Sequence, residues 1–229
     1  MATSGTATFN LDLTEVVEEA FERAGSEMRS GYDLRTARRS LNLLFADWSN
    51  RGINMWTIDS GTIPLVAGTA TYDLPADTVD LLEHVVRTGA GSAATQADLT
   101  LTRISVSTYA TIPNKLSTGR PIQIYVDRAV ATPQVTVWPI PDGSATYSLV
   151  YWRLRRMEDA GGGVNTMDVP FRFLPAMVAG LAYYLALKIP EGLSRLDMLK
   201  AQYDEVWQLA AYEDHDKAAI RFVPRQMFI

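Results

Sequence analysis

The sequence has no cysteine and only two histidines, His84 and His215, among its 229 residues. The missing thiols exclude disulfide bridges and cysteine-based metal sites, and two imidazoles are too few for a histidine-rich metal centre. Lysine is also scarce, because 17 of the 21 basic residues are arginine. The net charge of −5 argues against a general nucleic-acid-binding protein, which would carry a basic excess. We therefore expect no metal and no cofactor.

The chain also lacks a membrane-spanning run and the common catalytic motifs. Its most apolar stretch, Phe171 to Leu187, contains Arg172 and Pro175 and predicts a buried helix. The first ten residues are small and polar, without the order of a signal peptide. No Gly-x-Ser-x-Gly motif is present, and no Lys-Ser or Lys-Thr follows Gly161-Gly162-Gly163. We expect a soluble protein made in the cytoplasm, with no catalytic residue.

What is present is a helix–strand–helix order along the chain. It predicts an α+β fold in which the N- and C-terminal helices form one bundle, with an inserted antiparallel β-sandwich or barrel and an extended C-terminal arm. The predicted division comprises an N-terminal helical pair (1–53), a β-rich domain (54–160), a C-terminal helical pair (161–217) and a docking arm (218–229).

The N-terminal pair shows clear helix signals. Asp12 and Glu15 have the spacing of a capping box, and Gly25 ends an amphipathic segment. The second helix lies in Tyr32–Trp56, where we expect Asp33 to cap its start and Gly52 to end it. Its apolar residues recur at helical spacing, opposite the arginines Arg35, Arg38 and Arg39.

The middle of the chain predicts short strands separated by Gly, Pro and Asp. Pro141-Asp142-Gly143 predicts a tight turn that joins the last two strands as a hairpin. Ser105 to Ile112 is expected to form a single helical turn. The expected strands are Trp56–Asp59, Gly61–Leu65, Thr71–Leu74, Leu81–Arg87, Pro121–Arg128, Gln134–Pro139 and Tyr147–Arg155.

In the C-terminal part, Gly161-Gly162-Gly163 predicts a flexible hinge, and Asp168 is expected to cap the helix that follows. A stripe of alanines in that helix would allow another helix to approach closely. Ser194 with Asp197 predicts the start of the last helix. The seam of that last helix is formed by Leu196, Leu199, Tyr203, Val206 and Ala210.

Two groups of charged residues have two interpretations each. Glu15, Glu18, Glu19 and Glu22 form a polar helix face or, as an alternative, the acid–base carboxylates of a glycosidase. The arginines at 153, 155 and 156 form either a patch for an anionic partner or a solvated edge strand. His84 reads as a half-exposed sheet residue and His215 as a surface residue, each without a second metal ligand.

The C-terminal tail is unusually apolar for a chain end. Pro224 blocks a helix there, and the segment is too short to form its own core. The tail either folds back on its own bundle or docks as an extended arm on a neighbouring subunit or another protein. We favour docking. The expected docking residues are Ile220, Phe222, Val223, Met227, Phe228 and Ile229.

The order of these segments resembles the head-to-tail adaptor (connector) proteins of tailed bacteriophages. It is similar to the tail tubular "A" proteins and the tail accessory factors of short-tailed phages. The stretches that carry the resemblance are Tyr32–Trp56, Tyr72–Asp77, Val79–Arg87, Arg103–Lys115, Gly119–Arg128, Val137–Pro141, Met167–Pro170 and Ala179–Ala182.

The resemblance implies a dodecameric ring beneath the portal protein, a channel through which DNA passes without sequence-specific binding, and an arm that reaches the portal. It further implies a downstream tail or nozzle protein as partner, and a virion location after assembly in the host cytoplasm. We expect Arg35, Arg38, Arg39, Tyr203 and Trp207 at the subunit interface. The alternatives are a peptidoglycan-hydrolysing tail accessory factor and another neck or tail-completion protein.

Overall fold

The computed structural model describes residues 3–29, 31–52 and 55–215, which form two compact units. The helical unit combines the described residues up to Trp56 with those from Glu158 onward, and the β unit is the continuous segment Thr57–Met157. Helices precede and follow the strands, so the predicted α+β class is confirmed. The finer four-part division stays a prediction, and its docking arm over 218–229 lies outside the described residues.

Four of the helices belong to the helical unit, and the short α3 belongs to the β unit. Single 3₁₀ turns precede the β unit, α4 and α5. The described helices are α1 (Leu13–Ala24), α2 (Gly31–Asn50), α3 (Val106–Ala110), α4 (Leu174–Ala186) and α5 (Leu196–Glu213), with 3₁₀ turns at Met55–Thr57, Phe171–Phe173 and Pro190–Arg195.

The ends of α1 follow the local signals. The Asp12 carboxylate accepts the backbone N–H of Glu15, and the Glu15 carboxylate accepts the backbone N–H of Asp12, both at 2.9 Å. Such a cap stabilises a helix by about 1 kcal/mol. Gly25 ends the helix with φ of 86°, a conformation that glycine adopts without strain. The predicted capping box and glycine stop are both confirmed.

The start predicted for α2 is wrong. The helix begins at Gly31, so Asp33 lies in its first turn and its carboxylate accepts the backbone N–H of Arg29 at 3.1 Å. A carboxylate in the first turn still favours the helix through the positive end of its dipole. At the other end α2 stops at Asn50, just before Gly52 with φ of 147°.

Helix α4 is the centre of the helical unit and packs against α1, α2 and α5. A Cβ added at Gly180 would lie 2.8 Å from Tyr203 Cε2 and 2.9 Å from Leu44 Cδ2, so only glycine fits this approach. Although α4 is almost wholly apolar, none of the described helices has the length and hydropathy to cross a bilayer. The predicted small-residue stripe is confirmed, because all its members are buried: Ala176, Ala179, Ala182 and Ala186.

The caps predicted for α4 and α5 are wrong, although the seam of α5 is confirmed. The Asp168 carboxylate accepts the backbone N–H of Glu158 at 3.3 Å, and α4 begins only at Leu174, after a 3₁₀ turn. Helix α5 begins at Leu196 without a side-chain cap. In both cases a 3₁₀ turn leads into the helix and replaces the cap. On the seam, Leu199, Tyr203 and Ala210 are buried and Leu196 and Val206 are half-buried.

The glycine run before α4 is a fixed loop, which corrects the predicted flexible hinge. The Gly161 carbonyl accepts from the Arg38 guanidinium at 3.1 Å, and the Gly162 N–H donates to the Asn165 side chain at 3.0 Å. The Gly163 carbonyl accepts both the hydroxyl and the backbone N–H of Thr14, at 2.9 and 3.2 Å. These bonds tie the loop to α1 and α2.

The β unit contains two four-stranded sheets, in the orders β1-β8-β3-β4 and β2-β7-β6-β5. All pairs are antiparallel except β5 with β6, which is parallel. The strands are β1 (Ile58–Leu65), β2 (Thr71–Asp73), β3 (Thr78–Thr88), β4 (Ala97–Thr100), β5 (Thr102–Ile104), β6 (Gln123–Asp127), β7 (Gln134–Trp138) and β8 (Tyr147–Arg155).

The two sheets share one apolar core, as in a sandwich. Leu81, Val86 and Leu149 come from the first sheet, and Ile124 and Val135 come from the second. Each sheet has open ends in its strand order, so the predicted sandwich describes the unit and the barrel alternative does not.

The hairpin predicted between the last two strands is wrong. β7 pairs with β2 and β6, whereas β8 pairs with β1 and β3 in the other sheet. The turn at Pro141-Asp142-Gly143 therefore leads from one sheet to the other. Its Asp142 side chain accepts the Ser144 backbone N–H at 3.0 Å, and Gly143 has φ of 76°, so the turn chemistry is as expected.

The predicted helical turn is confirmed as α3, whose N-cap Ser105 accepts the Thr108 backbone N–H at 3.2 Å. Strands β4 and β5 were not predicted. Both are short, with four and three residues, and their residues are mostly exposed.

Candidate functional site

The helix α2 presents a charged and apolar stripe opposite its buried face. Tyr32, Arg35, Arg39 and Leu43 recur at spacings of three and four residues, and all are exposed. Tyr32 is 67% exposed and Leu43 is 55% exposed, which is unusual for such large groups. We name these four residues the α2 stripe.

The arginines predicted for a subunit interface divide into two kinds. Arg38 donates to the Gly161 carbonyl at 3.1 Å and so helps to hold the glycine loop. Arg35 and Arg39 form no ion pair with any residue that the structure describes. They are therefore the two arginines of the predicted set without a side-chain hydrogen bond or ion pair among the described residues.

Positive charge accumulates around Arg39. The Lys188 ammonium donates to the Ser40 hydroxyl at 2.6 Å. Burial and the nearby Arg39 guanidinium lower the pKa of Lys188. An anionic group placed here would relieve this repulsion, because an opposite charge within a few ångströms favours the charged form of a lysine.

Tyr203 lies inside the helical unit, where it is 3% exposed. Its hydroxyl accepts from Trp48 Nε1 at 2.8 Å, and burial raises its pKa to about 12. The Arg51 guanidinium lies 5.2 Å from the Tyr203 ring. The role of Tyr203 in the described structure is to pack α5 against α2, and it offers a neighbouring copy almost no surface.

Trp207 borders a groove of about 400 Å³ at the end of α5. The Arg51 guanidinium lies 4.6 Å from the Trp207 ring, a cation–π contact. The buried Trp207 Nε1–H has no acceptor among the described residues. Tyr212, 76% exposed, lines the same groove. This end of α5 therefore combines an open aromatic surface with an unused hydrogen-bond donor.

Asp214 lines this groove and is held in place by two contacts. This carboxylate is buried, accepts the Met55 backbone N–H at 3.0 Å and pairs with Arg172. His215, the next residue, also lines the groove, and its ring meets Tyr212 edge-on at 6.2 Å. The segment that follows His215 contains the predicted docking residues Ile220, Phe222, Val223, Met227, Phe228 and Ile229, which lie outside the described residues.

A second groove, of about 450 Å³, lies between α1, α4 and the segment before α1. Its floor is apolar and includes Phe9, Leu174 and Val178. Its rim is formed by four glutamates, with Arg23 beside them: Glu15, Glu18, Glu19 and Glu22. We name it the acidic groove.

The glutamates of the acidic groove do not form an acid–base pair. Glu15 is held in the α1 capping box, and Glu19 is paired with Arg23 at 2.7 Å. Glu18 and Glu22 are exposed and have no hydrogen-bond or ion-pair partner among the described residues.

In the β unit, by contrast, Arg153 is engaged by neighbouring carboxylates. Arg153 donates to Asp77 at 2.6 Å and to Asp59 at 3.3 Å, and its side chain is only 11% exposed. This hydrogen bond lowers the pKa of Asp77. β8 is an inner strand, so the solvated-edge interpretation of these arginines is wrong. The anionic-partner interpretation is also not supported at Arg153, because carboxylates of its own unit occupy it.

The two histidines have different surroundings. Both ring nitrogens of His84 are buried, and burial with the nearby Arg103 lowers its pKa. His84 lies in the β unit and His215 in the helical unit. In the part of the chain that the structure describes, no three His, Asp or Glu side chains group as metal ligands.

The sequence indicated the arginines of α2 and the glutamates of α1, but not the surfaces around them. The α2 stripe was detectable, since Tyr32 and Leu43 share the arginine spacing and lie away from the apolar face. The acidic groove was not, because its floor joins Phe9 and Val178 from distant parts of the chain.

A family model described as SU10 adaptor protein matches residues 11–221. Among curated proteins no match is found.

Proposed function

The chain belongs to the SU10 adaptor protein family, and from this membership we propose that it forms a ring that joins the portal to the tail of a phage virion. The match over residues 11–221 is the observation that carries the proposal, because it covers both units. It confirms the resemblance to phage head-to-tail adaptors, which are structural proteins. The proposed ring is a dodecamer that assembles in the host cytoplasm and lines part of the DNA ejection channel.

We propose that the helical unit supplies the ring contacts. The predicted interface residues Arg35, Arg38, Arg39 and Trp207 all lie on this unit, and Arg35 and Arg39 are exposed without a carboxylate partner in the described structure. In this proposal Tyr203 supports the interface indirectly. Its hydroxyl accepts a hydrogen bond from Trp48 and so holds α5 against α2.

We propose that the C-terminal arm docks on the portal. The groove beside Trp207 supports this, since His215 lines it and the arm follows closely in sequence. Each large apolar side chain of the arm that becomes buried stabilises the complex by about 1.5–3 kcal/mol. The proposed contacts are Ile220, Phe222, Val223, Met227, Phe228 and Ile229.

The net negative charge of the chain suits a channel through which DNA must pass without binding tightly. Tight phosphate binding needs an excess of Lys and Arg, and this chain has a net charge of −5. We propose that DNA passes without sequence-specific binding and that the β unit contacts the downstream tail or nozzle protein.

The test is binding of the full chain to purified portal rings, measured by co-sedimentation and negative-stain imaging. Deleting residues 220–229 removes the proposed docking residues. We expect portal affinity to fall at least about a hundredfold, because at least two large apolar groups lose their burial. The matched control is Arg225→Gln, which alters the arm without removing an apolar group and should bind the portal within about threefold of the wild type.

Full portal binding by the deletion variant would contradict the docking arm. No portal binding by the wild-type chain would contradict the adaptor position and favour another neck or tail-completion protein. The hydrolase alternative predicts that purified protein clears a cell-wall suspension and that Glu15→Gln with Glu18→Gln abolishes this. We expect no clearing by either protein.

A further inference from the structure

We infer that the acidic groove of one copy receives the α2 stripe of the next copy in the ring. The inference rests on the proposed function, because it names the two surfaces by which neighbouring subunits meet. In a ring each copy uses two different surfaces, so a groove and a complementary ridge on the same unit are what such a contact requires.

The charges of the two surfaces are complementary. Glu18 and Glu22 are exposed and unpaired in the groove, and Arg35 and Arg39 are exposed and unpaired on the stripe, within the described residues. Both pairs are four residues apart on a helix, a rise of about 6 Å. Each glutamate can therefore face one arginine when α1 and α2 of neighbouring copies lie side by side. Arginine favours this arrangement, because its planar guanidinium binds a carboxylate through two hydrogen bonds.

The apolar parts of the two surfaces also correspond. The stripe carries an exposed large side chain on each side of its arginines, Tyr32 and Leu43. The groove offers an apolar floor next to its carboxylates, with Phe9 67% exposed. An apolar centre with charges around it is the usual composition of a protein interface.

The surroundings of Arg39 favour an anionic occupant over a neutral one. Arg39 and Lys188 repel each other, and burial together with this repulsion lowers the pKa of Lys188. A carboxylate from the neighbouring groove would favour the charged form of Lys188 and so oppose the effects of burial and of Arg39. Arg38 is not part of the contact, since it holds the Gly161 carbonyl at 3.1 Å.

Charge reversal tests the pairing. One variant carries Glu18→Arg with Glu22→Arg, and a second carries Arg35→Glu with Arg39→Glu. Each variant alone places like charges at every contact, so we expect the ring fraction to fall at least about tenfold. Ring formation is measured by mass photometry and sedimentation velocity, with and without portal, and circular dichroism confirms that each variant folds.

Mixing the two variants is the decisive measurement. In an equimolar mixture the arginine stripe of the first variant meets the acidic groove of the second, and the reversed surfaces also match. We expect rings of alternating copies to form in the mixture although neither variant forms them alone. Copies with all four substitutions should also form rings. The matched control, Lys200→Glu with Glu205→Arg on the exposed face of α5, should assemble like the wild type.

The outcomes separate this inference from the proposed function. If the wild type forms rings and either reversal variant forms them equally well, the pairing is wrong and the adaptor function stands. If the mixture fails to form rings while the control succeeds, the pairing is also wrong. If the wild type forms no ring even on the portal, both the ring and this contact are wrong.

Discussion

Both units of this protein contain ion pairs, but α1 and α2 of the helical unit also carry exposed charges without partners among the described residues. In the β unit three arginines are paired with carboxylates of the same unit: Arg87 with Asp98, Arg103 with Asp80, and Arg153 with Asp59 and Asp77. In the helical unit Arg35 and Arg39 on α2, and Glu18 and Glu22 on α1, have no such partners among the described residues.

This difference separates two uses of the same residue types. Charges paired inside one unit fix the positions of its strands and leave little attraction for other proteins. Exposed charges of opposite sign on separate helices add little to the stability of one copy, but they select and orient a partner. We therefore expect substitutions in the β unit to change stability, and substitutions on the outer faces of the helical unit to change assembly.

The largest effect should come from a substitution in the interior of the helical unit. The helices there must pack in fixed positions if their outer faces are to meet a neighbouring copy in register. Gly180→Val places methyl groups where a Cβ alone would lie 2.8 Å from Tyr203 Cε2. We expect the free energy of unfolding to fall by about 3 kcal/mol through overpacking. The control is Gly31→Ala, since a Cβ at Gly31 meets nothing within 4 Å. Calorimetric melting of both variants measures the difference, and an unchanged melting temperature for Gly180→Val would contradict the close packing.

A paired substitution tests the contrast directly. Arg153→Gln removes the hydrogen bonds to Asp77 and Asp59, and we expect it to lower the free energy of unfolding by about 2 kcal/mol. Arg39→Gln should change it by less than about 0.5 kcal/mol, because this side chain is exposed and unpaired in the described structure. Denaturant unfolding gives both values. Equal losses in the two variants would remove the distinction between the units.

The smallest effect should be a pH dependence confined to the β unit. Burial lowers the pKa of His84 below its ordinary 6.5, so the unfolded chain takes up this proton first as the pH falls. Stability should then decrease as the pH falls below about 6.5, by no more than about 1.4 kcal/mol per pH unit for one proton.

Replacing His84 by leucine should remove this slope. The slope is measured as the change of melting temperature with pH. The control is His215→Gln, which replaces the other histidine. A slope that persists in His84→Leu and vanishes in His215→Gln would reverse the assignment.

Local signals predicted local structure well. Asp12, Glu15 and Gly25 set the ends of α1 through bonds to residues a few positions away, and Ser105 does the same for α3. The caps predicted at Asp33 and Asp168 are wrong. Both carboxylates do accept a backbone N–H, from Arg29 and Glu158 respectively, but neither residue is the N-cap of its helix.

The partner of a strand could not be predicted in the same way. Pro141-Asp142-Gly143 forms the expected turn, yet β7 and β8 enter different sheets because the pairing of β8 with β1 and β3 is decided by the shared core. The acidic groove depends likewise on packing between distant segments. Sequence patterns report which residues are apolar or charged, and packing decides which of them meet.

The position of α4 has a consequence for the timing of folding during synthesis. The β unit is continuous in sequence, so it can complete its core as soon as Met157 has left the ribosome. Helices α1 and α2 must wait for α4, which is translated after the whole β unit and packs against both. The acidic groove needs Leu174 and Val178 from α4 for its floor. A nascent chain thus has no finished groove to offer, and subunits cannot join through it until α4 has been translated.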